Sequence, residues 1–555
     1  MYALAFVSFS QFESLTSIKR SHMYSVPTTH DVTNQSVALE PFDHFNSDLA
    51  LKEGIAREGG DWGFDRLSAL GALAGQPEQR EHCVRAEANE PKLRTHDRFG
   101  HRVDEVELDP SWHHLLGTGI EHQCHSLPWR DPQPGAHVVR AGLFHIWSQT
   151  NGGVMCPISM THAVIPPLRN HAPEIAEEWE DRLTVPDYER GAIAGMAMTE
   201  KQGGSDVRAN TTRAEPNGDE YELWGHKWFC SYPPCDVFLV LAQAPGGLSC
   251  FFIERGPGME FQRLKDKLGT RSLASSEVEF RGIRARLVGE EGRGVPTIIG
   301  MVNHTRLDCM IGSTAAMRRG VLEATHHARN RRAFGALLID QPAMQNVLAD
   351  LAIESEAATA AMLRVARAFD EGDEPLRRFA TAVLKYWVCK RAPGHAGESL
   401  ECLGGNGYVE ESGMPLLYRD APLMSIWEGS GNVAALDVLR AMAKEPEGLP
   451  AFLAECELAR GTDARYDAHL DAVSERLASL AEGDRDAAII DAQFSARRVV
   501  EDLGVAFQAG ILLRHGDEAV ADGFCAGRLG AGGKAYGTLP RGVDARAIIE
   551  RVIPA

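Results

Sequence analysis

Apolar residues recur at helical spacing over Leu49–Glu58 and Val138–Gln149, which predicts helices in a first region, residues 30–194. Loops rich in Pro, Gly and His interrupt them. Between residues 195 and 290 the pattern shortens. Tyr221–Trp224, Val237–Ala242, Leu248–Ile253 and Ser276–Phe280 are short runs of β-formers. Turn signals divide them, at Pro216-Asn217-Gly218, Pro233-Pro234 and Pro245-Gly246-Gly247, and a small antiparallel β domain is expected. Long helical periods return over residues 291–442. They cover Thr314–Arg332, entered after Gly312-Ser313, then Gln345–Ala368 and Leu376–Leu403, the last closed by the glycine-rich turn 404–407. Residues 443–555 carry further helical periods at Leu449–Ala459, Asp467–Leu480 and Asp486–Leu513, followed by a stretch, Gly530–Gly537, expected to be flexible.

The order helical, β, helical, helical predicts an α+β fold. No βαβ unit carries a GxGxxG, which excludes a Rossmann reading. A length of 555 residues fits several domains, and 44% hydrophobic with 24% charged content fits a globular chain. No apolar run reaches the ~18–20 residues that span a bilayer. The first 22 residues lack the basic start and small-residue cleavage site of a secretory leader. Residues 1–29 are therefore read as a tail, with Met23 an alternative start. Eleven scattered cysteines without a CxxC pair fit reduced thiols, hence a cytoplasmic location. A net charge of −20 disfavours nucleic acid except at a local basic patch.

Five segments carry candidate chemistry. In Met198–Asp206, Gly203 and Gly204 let backbone N–H groups approach a ligand, and Thr199 and Ser205 add hydroxyls; taken alone, the segment reads as a Gly-Gly turn capped by Ser205 and Asp206. His226–Ser231 offers the Trp228-Phe229 pair as a flat apolar wall, or as a strand core. Arg329–Gly335 with Gln341 puts guanidinium forks at a helix end, suited to a pyrophosphate or to the helix dipole. Cys402–Tyr408 packs glycines that admit a phosphate or cap a helix. In Ile426–Asn432, Glu428 stands among Met424, Ile426 and Trp427, where burial raises a carboxyl toward a general base's range; a helix-capping glutamate is the other reading. The histidines and cysteine at His113, His114, His122, Cys124 and His125 match no standard metal spacing, so no metal is expected.

In this order and spacing the five segments resemble the acyl-CoA dehydrogenase superfamily. The wording of Met198–Val207, Gly225–Phe229, Leu248–Phe252 and Ser425–Asn432 is similar to its AidB-like branch, as are Gly60-Asp61-Trp62, Pro91–Asp97 and the additional C-terminal region. The resemblance implies an N-terminal helical domain, a middle β domain, a C-terminal four-helix bundle and an extra helical domain. It implies FAD held by Met196, Met198, Thr199, Gly204 and Ser205, by Phe229, Cys230 and Ser231, and by Ile426, Trp427, Gly429, Ser430 and Asn432. Arg331, Gln341, Gly404 and Gly405 would reach the FAD of a neighbouring subunit in a homotetramer, a dimer of dimers. Glu428 would remove the α-proton of an acyl thioester. Some relatives carry the base on an earlier helix in a D-x-E-R pattern; Thr305 stands at that position here and cannot serve.

The same resemblance implies a role in the response to DNA alkylation, with duplex DNA bound, alkylating agents inactivated, and weak acyl-CoA dehydrogenase activity. An ordinary acyl-CoA dehydrogenase and a DNA-shielding protein with structural FAD are the alternatives. The charge argues otherwise for DNA, since residues 441–555 hold 13 Lys+Arg against 19 Asp+Glu. Arg440, just before that stretch, is the candidate DNA contact.

Overall fold

A computed structural model describes residues 29–480 and 485–554. The expected tail and the alternative start thus lie outside the described residues, apart from Thr29. The chain is α+β, with helical regions flanking one sheet.

In the first region, Ala136–Ser148 and Met155–Ala163 are almost wholly buried. Gly135 starts the first of these at φ +81°, and a Cβ there would lie 2.2 Å from the Gly59 carbonyl oxygen. The hairpin Lys92–His96 and Arg102–Glu107 is absent from the expected elements. Neither strand buries a face, so neither carries an apolar alternation. Arg102 docks the hairpin on the sheet by donating to the Phe261 carbonyl at 2.7 Å.

The sheet has seven strands, mostly antiparallel: six in one continuous order and the seventh, Met259–Leu264, paired with Ser275–Val288. Two pairings are parallel: Ala194–Ala197 on Val237–Ala244, and Arg213 on Gln243. The expected strands are longer than their apolar runs. Glu220–Ser231 pairs with Ser275–Val288 along most of its length, which puts the 226–231 segment on a strand.

The bundle consists of Gly294–Asn330, Pro342–Glu371, Glu374–Cys402 and Gly431–Lys444. The first helix does not start after Gly312-Ser313, because both residues lie inside it. Gly312 makes room for Met424, whose terminal methyl would sit 3.2 Å from an added Cβ. The last region stacks Arg485–His515 on the bundle. Gly504 abuts the Trp387 ring, and the Trp387 indole donates to Gln508 at 2.8 Å. The 530–537 stretch is tied down beside the bundle, since Gly537 N–H donates to Asp350 at 2.9 Å and Leu539 N–H to Asn346 at 2.9 Å. Among the described residues no helix is long and apolar enough to cross a membrane.

Candidate active site

The 196–206 loop leaves Ala194–Ala197 and runs beside Glu220–Ser231. The Thr199 carbonyl accepts from Trp228 N–H at 2.8 Å. Gly204 is required by the turn, because a Cβ there would fall 2.3 Å from the Thr199 hydroxyl oxygen. Met196, Met198 and Thr199 are half-buried and Ser205 is exposed, so the loop presents a polar rim over an apolar floor. What holds it is Glu200, fully buried and paired at 2.9 Å with the fully buried Lys227. Thr211 and Thr212 N–H donate to the same carboxylate at 2.7 and 3.1 Å. Burial raises the Glu200 carboxyl, but Lys227 and these donors outweigh it and bring it down to about 2. Burial in turn lowers the Lys227 ammonium to about 8. The sequence signal for Lys227 was a lysine at an inward strand position; Glu200 had none.

On the strand, alternation sends Trp228, Phe229, Cys230 and Ser231 different ways. Phe229 is exposed and Cys230 completely buried. Burial pushes the Cys230 thiol far up, which removes it as a redox partner. The Trp228 ring is covered by the Lys265 ammonium, 3.0 Å from its centroid, and the same ammonium stands 4.9 Å from the centroid of Phe229, which keeps 48% of its surface exposed beside Ser231. Burial pushes the Cys156 thiol up, with the neighbouring Ser231 hydroxyl lowering it and the charge of Glu428 raising it. Cys156, on Met155–Ala163, thereby joins the strand end to the proposed base.

Glu428 sits in the turn before Gly431–Lys444 at φ +56°, an uncommon conformation for a glutamate. Three groups impose it. Arg306 Nε donates to the Glu428 carbonyl at 3.1 Å, and its Nη1 pairs with Asp437 at 2.6 Å. Lys385 Nζ donates to the Gly429 carbonyl. Arg378 completes the pair at Asp437, at 3.1 Å. The carboxyl itself is buried, with Oε2 lacking any hydrogen-bond partner. Burial raises its pKa, and the Thr305 hydroxyl, Arg306 and Lys385 offset part of that rise. A buried carboxyl with a raised pKa and an unpartnered oxygen can take a proton from a bound molecule. Ile426 and Ser430 are exposed, and Trp427 and Gly429 half-buried. Asn432 is exposed, and its amide oxygen accepts from Arg497 Nε of the last region at 2.8 Å.

The remaining candidates lie on another surface. Arg331 donates to the Asn34 carbonyl, and Asn406 Nδ2 to Gln35 at 3.4 Å, so the segment at Asn34-Gln35 links the Arg331 and Gly404–Gly405 motifs. Gln341 donates to the Ala333 carbonyl at 3.2 Å. An added Cβ on Gly404 or Gly405 would meet nothing, which leaves an open glycine shelf. Phe334 is 100% exposed and Tyr408 83% exposed beside these motifs. Arg440 points outward with its side chain 58% exposed, 3.3 Å from Asp437. His113 and His114 are engaged separately, by Tyr188 at 2.8 Å and Gln79 at 3.0 Å.

Family profiles match the chain in three consecutive stretches: the adaptive response protein AidB N-terminal domain over residues 34–190, the acyl-CoA dehydrogenase middle domain over 195–283, and the acyl-CoA dehydrogenase C-terminal domain over 292–443. The chain is 42% identical over 476 residues to AidB of Escherichia coli (strain K12), spanning 82% of this chain and 88% of that one. It is 33% identical over 433 residues to acyl-CoA dehydrogenase family member 11 of Caenorhabditis elegans, spanning 72% and 70%. Among solved structures, Caenorhabditis elegans ACDH-11 in complex with C11-CoA superposes with a TM-score of 0.82 at 27% identity, covering 95% of this chain and 94% of that one. Bd2924 in its apo-form superposes at 0.80, with 27% identity and 88% and 100% coverage.

Proposed function

The chain belongs to the acyl-CoA dehydrogenase family, in its AidB-like branch, and from that premise we propose that it catalyses FAD-dependent α,β-dehydrogenation of an acyl thioester with Glu428 as base. The observation that carries the reading is the Glu428 carboxyl: buried, raised, clamped through its backbone by Arg306 and Lys385, and with one oxygen unpartnered.

The residues present fit FAD. Thr199, Ser205 and Ser231 supply hydroxyls beside half-buried Met196 and Met198, and Phe229 is half exposed. Gly404 and Gly405 leave room for a phosphate-bearing chain presented by a second subunit. When bound, FAD supplies the acceptor for the two electrons that leave the β-carbon as hydride. Glu428 takes the α-proton; the electron pair that it releases forms the α,β double bond. The unpartnered Oε2 is the oxygen free to do this. Thr305, Arg306 and Lys385 offset part of the rise that burial gives the Glu428 carboxyl, and Trp427 stands half-buried next to it in the chain.

Assembly as a homotetramer is part of the reading, supported by Phe334 and Tyr408 standing exposed beside Arg331 and the glycine shelf. DNA association in an alkylation response is the second reading, and the exposed Arg440 favours it. The last region does not add a basic face, because Arg460, Arg465, Arg476, Arg498 and Arg514 are all spent on nearby carboxylates. The deciding experiment is anaerobic reduction of the FAD-loaded protein by C11-CoA and isovaleryl-CoA, run beside a duplex-DNA titration at low salt. Bleaching by an acyl-CoA supports dehydrogenation. No bleaching, with a salt-sensitive DNA complex lost in Arg440→Ala, replaces it with the second reading.

A further inference from the structure

We propose that His137, His162 and His304 form a binding site for a first-row divalent transition metal of the zinc class. One ring nitrogen from each lies within 4.8 Å of the other two, and all three residues are buried. The rings come from three helices, Ala136–Ser148, Met155–Ala163 and Gly294–Asn330. Their centroids are 5.1 to 5.8 Å apart.

One hydrogen bond sets the His162 ring as a ligand. His162 Nδ1 lies 3.0 Å from the His125 carbonyl. A carbonyl only accepts, so Nδ1 carries the proton and Nε2 keeps its lone pair. That arrangement is the outer-shell contact which orients a metal-bound imidazole. Trp129 stacks on the same ring at 4.8 Å and donates to the His162 carbonyl at 3.0 Å, holding it further. His304 Nδ1 is buried without a partner. The His137 ring makes no hydrogen bond among the described residues. A zinc–nitrogen bond of about 2.0–2.1 Å places tetrahedral ligand nitrogens ~3.4 Å apart, which small ring rotations reach from the present spacing.

Access is present on two sides. A cavity of ≈ 610 Å³ is lined by His137, Phe369 and Asp370, and one of ≈ 240 Å³ by Asn303, His304 and Phe369. Three protein ligands beside a cavity leave a fourth position for water. The site is separate from the proposed base. His304 and Thr305 are consecutive on one helix, about 100° apart around it, so one faces the first region and the other Glu428.

The test uses the full-length, FAD-loaded protein, stripped with EDTA and titrated with Co(II) and Zn(II). One equivalent per chain is expected, with the visible bands of tetrahedral Co(II) and X-ray absorption showing three imidazole ligands. His162→Phe with His304→Leu should lose at least nine-tenths of the bound metal while keeping flavin absorbance. Wild-type protein that binds no stoichiometric metal, or a metal spectrum without three imidazoles, overturns the proposal. A folded double variant that binds as before does the same.

Discussion

The Thr305 hydroxyl faces the Glu428 carboxyl from the neighbouring helix, so the two positions at which a base could stand meet across one site. The Thr305 hydroxyl lies 3.1 Å from the Val302 carbonyl and shares its single proton between that carbonyl and the Glu428 carboxyl, so it is a donor and no base. Only one of the pair can accept a proton. Glu428→Gln should therefore lower acyl-CoA-dependent flavin reduction by about 10²–10⁴-fold with FAD retained. The same change should raise Tm at neutral pH. A carboxyl raised in the fold contributes stability below its unfolded pKa and loses it as pH rises, and glutamine removes that loss. Stopped-flow reduction and a thermal scan read the two effects.

Thr305→Val tests the hydroxyl directly. It removes a hydrogen bond that favours the charged carboxylate, so the Glu428 pKa should move further up. The acid limb of the reduction-rate profile should shift to higher pH, with the alkaline side unchanged. A profile identical to wild type would detach Thr305 from the base.

The Glu200–Lys227 pair anchors the 196–206 loop. Lys227→Met leaves a buried carboxylate unpaired and should cost about 3–5 kcal/mol. The pair's contribution is present above the unfolded carboxyl range and is lost as pH falls from about 4.5 toward about 2. Wild-type protein should thus lose stability over that interval, and a Glu200→Gln, Lys227→Met double variant should lose less. Chemical denaturation at several pH values measures both.

All eleven cysteines are free and buried. The native protein should show no rapidly reacting thiol toward a disulfide reagent, and all of them after unfolding. Cys230→Ala should leave flavin reduction unchanged, because burial pushes that thiol far up.

Phe334 and Tyr408 stand exposed beside Arg331 and the glycine shelf. Phe334→Asp should split a tetramer into smaller species by light scattering and release FAD in the same variant, since that surface is proposed to complete the neighbour's site. Splitting with FAD fully retained would separate assembly from cofactor binding.

The α+β order and the turn that carries Glu428 were readable because each depends on a local pattern: periodicity for the elements, one continuous segment, Ile426–Asn432, for the turn. Register was less so. Glu220–Ser231 continues past its apolar run because pairing with Ser275–Val288, which no local rule reports, holds it extended. Glu200 pairs with a lysine 27 positions on, and only the closed sheet brings them together. The helix Gly294–Asn330 hides its first half behind Gly312-Ser313, where a turn signal was overruled by packing on Met424. His137, His162 and His304 each sit in an apolar helix and look singly like core residues. The stretch His113, His114, His122, Cys124 and His125, where no metal is expected, is the only one at which local spacing raised the question.

The contact from Arg497 to Asn432 changes what the last region is. Arg497 also lies against Gly431, and Gly504 seats the Trp387 ring in the bundle. Residues after 443 are therefore a buttress and not detachable cargo. Cutting the chain there would free one end of the turn that carries Glu428 and bare an indole. The shortened protein would be a poorer catalyst, even with every residue of the reaction in place.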